Sequence, residues 1–169
     1  MKNLQILNSK EVKHLLEKLK EQYGLEVNKK ELGYAFLMNK DNRIYIITKD
    51  IANINVEELK IDAIGLYFGE QYKESIRLSI EGAQIVAKTA TKGIVTISYN
   101  QMISWIKGED IPWNIEEGDE DIGKDFIIVK YHNPKTSTTD ILGCGKYNEK
   151  EKKLMNYVSK SRKLVVVND

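Results

Sequence analysis

Apolar residues first recur at helical spacing. Val12, Leu15, Leu16, Leu19 and Tyr23 fall on one face of a helix. Asn8 stands where an N-cap is needed, and Glu11 three residues on completes a capping box. Gly24 follows as a stop, and His14 falls on the opposite, solvated side. The period then drops to two. Residues 34–38 and 43–47 read as the strands of a hairpin turning at 39–42. Asn55 can open a short helical turn to Leu59, and 63–68 is a third strand. The polar stretch 69–75 reads as the boundary between two docked halves.

Beyond that boundary the elements shorten. Residues 76–78 form a brief strand, and Ser79 caps a helix that begins at Ile80 and runs to Gly93. Residues 94–98 alternate as a half-buried strand does. Asn100 caps a second helix, stopped at Gly108. Glu116 to Asp121 hold five acids around Gly118 and read as a solvated loop. A buried strand covers 126–129, a turn starts at His132, another strand starts at Ile141, and 164–167 closes the chain. The expected fold class is α+β. A small α+β domain over 1–74 precedes a mixed barrel of five or six short strands with short helices over 75–169.

At 169 residues, with 41% apolar and 30% charged residues, the composition is that of an ordinary globular protein. No apolar run approaches a membrane span, and no secretory signal is expected. One cysteine, Cys144, excludes an internal disulfide and any multi-cysteine zinc site. A cytoplasmic location is the expectation. The two histidines, His14 and His132, form no metal-ligand spacing.

Charge is nearly balanced, 26 basic against 25 acidic residues, but it is unevenly placed. From Lys146 to Lys163 there are seven basic residues and two acidic ones. Such a patch can hold phosphate; on charge alone it reads equally as a solvated tail. Tyr147 and Tyr157 lie within it and can stack on an unpaired base, while Tyr157 and Val158 equally suit a barrel core. Gly143 and Gly145 either admit a nucleic-acid backbone or mark a bulge or tight corner. Cys144 between them reads as an inert buried thiol. Tyr34, Tyr45 and Tyr67 form either a stacking surface or cross-strand pairs.

Four stretches resemble a PUA domain, an RNA-binding module of RNA-modifying enzymes. They are Arg77-Leu78-Ser79-Ile80-Glu81-Gly82-Ala83, Trp105-Ile106-Lys107-Gly108-Glu109-Asp110, Leu142-Gly143-Cys144-Gly145-Lys146 and Asn156-Tyr157-Val158-Ser159-Lys160-Ser161-Arg162. The last is similar to the end of archaeal Nop/Sun-type RNA methyltransferases, with Ser159 where proline is usual. The order of elements is similar to Nip-type ribosome-biogenesis factors. The resemblance covers roughly residues 65–167. It implies a PUA-type pseudobarrel whose RNA-binding face includes Arg77, Lys146, Asn156, Tyr157, Lys160 and Arg162. Tyr147 and Lys163 join this candidate set from the basic run.

No catalytic residue, metal or cofactor is expected. A Nop/Sun-type enzyme needs a methyl-donor domain and paired cysteines; there is one cysteine, and too little chain for that domain. Gly65-Leu66-Tyr67-Phe68-Gly69 lacks the third glycine of a nucleotide fingerprint. The expected function is non-catalytic binding of structured rRNA or tRNA, in ribosome biogenesis or RNA modification. A ribosome-assembly or RNA-modification protein is the expected partner, and no membrane is involved. The alternative is a protein-interaction adaptor, or a targeting subunit for a separate RNA-modifying enzyme.

Overall fold

The structure, a computed structural model, describes residues 4–25, 33–49, 64–114, 122 and 125–164. Helix α1 (Ser9–Tyr23) forms as its pattern predicts. The Asn8 side chain accepts from the Lys10 and Glu11 amides, and Glu11 accepts from the Asn8 amide at 2.7 Å. Gly24 ends the helix in the left-handed region, φ 67°, where a Cβ would also lie 2.1 Å from Thr91 Oγ1.

The first sheet is an antiparallel meander of β1 (Gln5–Ile6), β2 (Tyr34–Met38), β3 (Arg43–Thr48), β4 (Leu66–Gln71) and β5 (Ile76–Leu78), paired in that order. The hairpin expected at 34–47 is present. The third strand is shifted from its expected place. It starts after Gly65 and continues through Gly69, Glu70 and Gln71, which had read as boundary. Pairing on both sides overrides their polarity: Glu70 sits opposite Arg43 on one flank and Arg77 on the other. The expected division at 74/75 falls in the β4–β5 hairpin, closed by Tyr72 N donating to Ser75 O at 2.8 Å.

One of the two sheets curls into a half-barrel, and the second sheet is mixed. Its order is β6 (Ile94–Ile97), β8 (Phe126–Asn133), β9 (Thr138–Asn148), β10 (Lys153–Asn156) and β7 (Ile111–Pro112), with β6 and β8 parallel and the rest antiparallel. His132 and Asn133, expected in a turn, extend β8, because Thr139 and Thr138 pair with them. Helix α2 (Ile80–Val86) is capped by Ser79 as expected, but it stops short of Gly93. The reason is tertiary: the Thr91 and Lys92 amides both donate to Tyr23 O, at the end of α1. Helix α3 (Tyr99–Ile106) is capped by Ser98, not Asn100. Gln101 returns a bond to the Ser98 amide, a capping box that Asn100 has no partner to form. The expected turn at 55–59, the acidic stretch 116–121 and residues 165–167 lie outside the described residues. The described chain is α+β. Among the described residues, no helix is long and apolar enough to cross a membrane.

Two cores meet at β8. Ile128 points into the larger one, with Leu15, Leu19 and Tyr23 of α1, Phe36, Ile44 and Phe68 of the first sheet, and Ala83 of α2. Ile127, Val129 and Tyr131 point the other way, to Trp105, Ile111 and Leu154. Period-two alternation lets one strand serve as a wall for both. Polar bonds fasten the same joint. Gln22 Nε2 donates to Ile76 O (3.0 Å) and Phe126 O (2.8 Å), and Gln22 Oε1 accepts from Ile76 N (2.8 Å).

Gln22→Ala removes the side-chain partner of the Ile76 amide and the Phe126 carbonyl, while the Ile76 carbonyl keeps the Tyr23 hydroxyl, and this costs about 1–3 kcal/mol. Urea denaturation should show that loss, whereas exposed His14→Ala should stay within about 0.5 kcal/mol of wild type.

Candidate functional site

Strand alternation decides which side chains of the first sheet are free for function. Ile44 and Ile46 of β3 are buried in the core, so Arg43 and Tyr45 face away from it. Register then extends two rows across the sheet. Arg43, Glu70 and Arg77 form one row, and Tyr45 and Tyr67 form the next, with ring centres 5.5 Å apart and planes tilted by 53°. Arg77 pairs with Glu70 at 2.5 Å. Burial works against its charge, but the neighbouring Tyr67 phenol, Tyr72 and Glu70 outweigh it and raise its pKa. Burial likewise raises the Tyr67 phenol, against the pull of Arg77.

Facing these rows is the segment from Asn156 onward, held by both side-chain and backbone bonds. The Asn156 amide nitrogen donates to the carbonyls of Trp105 (2.8 Å) and Glu109 (3.3 Å), and its backbone N–H donates to Asp110 Oδ1 (2.7 Å). Tyr157 N donates to Cys144 O, Lys163 Nζ to Gly108 O at 3.1 Å, and Leu164 N to Ile106 O. Arg162 forms an ion pair with Glu81 at the start of α2. The segment closes with a 3-10 turn, Lys160–Arg162.

Between the two walls lies a cleft of about 720 Å³. Leu78, Ile80, Gly143 and Val158 contribute apolar lining, and Tyr45, Tyr67 and Tyr157 contribute rings. Arg43, Arg77, Lys160, Arg162 and Lys163 bring five positive charges to it, against the single carboxylate of Glu81. Arg43 and Lys160 are exposed and have no ion pair among the described residues. A cleft with this lining can hold an anion and a flat ring together.

Six of the eight candidate residues converge on this cleft: Arg77, Asn156, Tyr157, Lys160, Arg162 and Lys163. Lys146 and Tyr147 do not line it. Lys146 Nζ lies 5.2 Å from the centre of the Phe126 ring, which meets Tyr157 edge-on at 5.0 Å, so it sits beside the cleft. Asn156 is committed to carbonyls of its own chain, and its part is to position the segment. Tyr157 is 38% exposed and is not core. The rest of the basic run, Lys150, Lys152 and Lys153, belongs to the β9–β10 turn region and stays out of the cleft.

Both glycines of β9 lie against side chains of the chain itself. A Cβ at Gly143 would meet Val158 at 2.9 Å, and one at Gly145 would meet Trp105 at 2.8 Å and Leu154 at 2.9 Å. Gly143, φ 103°, lies where the β8–β9 register shifts, the bulge that was its other reading. Arg43, Tyr45, Tyr67 and Glu81 were missing from the candidate set. The alternation of 43–47 signals that Arg43 and Tyr45 share a face, but only the pairing register brings that face to the terminal segment. No protein-family model matches the chain, and no curated protein matches it significantly.

Cys144 is 1% exposed, and burial pushes its thiol from 9.0 up to about 11. Burial raises the neighbouring Tyr23 phenol in the same sense. Both groups keep their protons longer folded than unfolded, so their contribution to stability is complete below about pH 9 and declines as pH rises through 11. Thermal melts from pH 8 to 11 should record that decline, with a shallower slope for Cys144→Ala. The native thiol should resist a disulfide reagent at pH 8 until the protein unfolds.

Proposed function

We propose that this protein is a non-catalytic RNA-binding protein and that the basic, tyrosine-lined cleft is its binding surface. The carrying observation is the concentration of five cations and three tyrosine rings around one cleft in a chain of net charge +1. Phosphate oxygens need guanidinium and ammonium donors, and bases need flat apolar partners. Both kinds stand on fixed backbone, on strands of the first sheet and on a segment tied to α2 and α3. Arg77 and Arg162 are held in place by Glu70 and Glu81, while Arg43 and Lys160 are available to phosphate. The resemblance of the terminal motif to PUA domains supports structured rRNA or tRNA as the RNA, and ribosome assembly or RNA modification as the setting. Under this reading a ribosome-assembly or RNA-modification protein is the natural partner.

Mobility shifts with tRNA and rRNA fragments across a salt series test the reading. Retention should weaken steeply as salt rises, by about 0.7–0.9 in log–log slope per phosphate contact. Lys160→Ala and Arg43→Ala should each lower affinity and flatten that slope by about one contact. Lys150→Ala, outside the cleft, should change little. Absence of retention at low salt would sink the proposal.

A further inference from the structure

We infer that the cleft receives a single unpaired nucleotide, its base on the tyrosines of β3 and β4 and its phosphate on the terminal segment. The inference rests on the RNA-binding reading and adds the ligand's form and a role for the first sheet. Three observations carry it.

The first is the shape of the aromatic surface. Tyr45 and Tyr67 are tilted by 53° and Tyr157 meets Phe126 at 82°, so neither pair is a face-to-face stack. Protein rings therefore do not consume the stacking capacity of the cleft. The second is the arrangement of charge around those rings. Arg43 lies on the Tyr45 face of β3, and Lys160 and Arg162 lie on the opposite wall, so cations flank the tyrosines. A nucleotide has the same layout, a flat base joined through its sugar to an anion. The third is size. The cleft volume, about 720 Å³, falls within the roughly 300–1,000 Å³ typical of sites that enclose a small ligand. A duplex offers only phosphates and groove edges to such a surface, because its base faces are stacked on one another. An unpaired nucleotide, in a loop or single strand, offers its base face as well.

The chemistry is shared by free nucleotides and by unpaired residues of RNA, so the experiment separates them. Binding to the full chain is measured for a single-stranded oligonucleotide, a blunt duplex of equal length and a nucleoside monophosphate. The single strand should bind more tightly than the duplex. Tyr67→Ala and Tyr45→Ala should each lower its affinity by roughly 5- to 150-fold, the range for losing one base–aromatic stack. Tyr67→Phe should retain it, and Tyr34→Ala, on an exposed strand tyrosine outside the cleft, should not change it. Circular dichroism checks that each variant is folded. Cross-linking of a 5-bromouridine oligonucleotide to the wild-type protein gives a readout free of any substitution, and Tyr45 or Tyr67 should carry the adduct.

Equal affinity for duplex and single strand, with adducts only outside β3 and β4, overturns the nucleotide site and leaves the RNA-binding reading standing. Monophosphate binding that needs Tyr67, without oligonucleotide binding, keeps the nucleotide site and ends the RNA-binding reading. Binding of none of the three probes overturns both.

Discussion

The molecule depends on a joint at the end of its first helix. One glutamine side chain, Gln22, satisfies both the carbonyl and the amide of Ile76 in the first sheet and the carbonyl of Phe126 in the second. Beside it the Tyr23 hydroxyl donates to the Ile76 carbonyl at 3.1 Å, and the Tyr23 carbonyl receives the Thr91 and Lys92 amides. Ile76 stands at the start of an edge strand and Phe126 at the start of β8. Without a donor and an acceptor here, buried backbone groups of two sheets would be left unpaired. The larger core is built around the same spot, with Tyr23 fully buried between Ile76, Ile128 and Cys144.

That joint also places the cleft. β5 carries Arg77 and ends in the Ser79 cap of α2, whose Glu81 holds Arg162. The Ser79 hydroxyl donates to Tyr67 O at 2.6 Å, which ties the cap to the tyrosine row. The cleft therefore spans both sheets, and its walls are set by the packing that closes the larger core. Its charge follows from the same packing. Two arginines are ion-paired with carboxylates, whereas Arg43 and Lys160 form no ion pair among the described residues.

Much of the fold was legible because local signals agreed with the tertiary structure. The Asn8–Glu11 capping box, the apolar stripe of α1, the Gly24 stop and the 34–47 hairpin are each written within a few adjacent residues. All but one of the departures occur where a distant partner won. Polar Glu70 and Gln71 became strand because β3 and β5 pair with them. α2 ended early because Thr91 and Lys92 were drawn to Tyr23. Ser98 took the cap from Asn100, and that departure was legible, since Ser98 and Gln101 carry the capping-box spacing.

The cleft divides in the same way. The sequence by itself determined the charge and chemistry of the terminal segment, because Tyr157, Lys160, Arg162 and Lys163 lie close together in the chain and their composition needs no fold to be seen. It also determined that Arg43 and Tyr45 of β3 share a face, through the Arg43-Ile44-Tyr45-Ile46 alternation that Ile47 interrupts. Only the tertiary structure decided that Arg43, Tyr45 and Tyr67, roughly a hundred residues upstream, stand across from that segment. Only it decided that Lys146 and Tyr147 stand aside, that Asn156 turns inward and that Val158 and Trp105 fill the space at the two glycines. Gln22 is the clearest case. On a helix it reads as one more solvated polar residue, and its role appears only where two sheets present unpaired backbone groups to the same side chain.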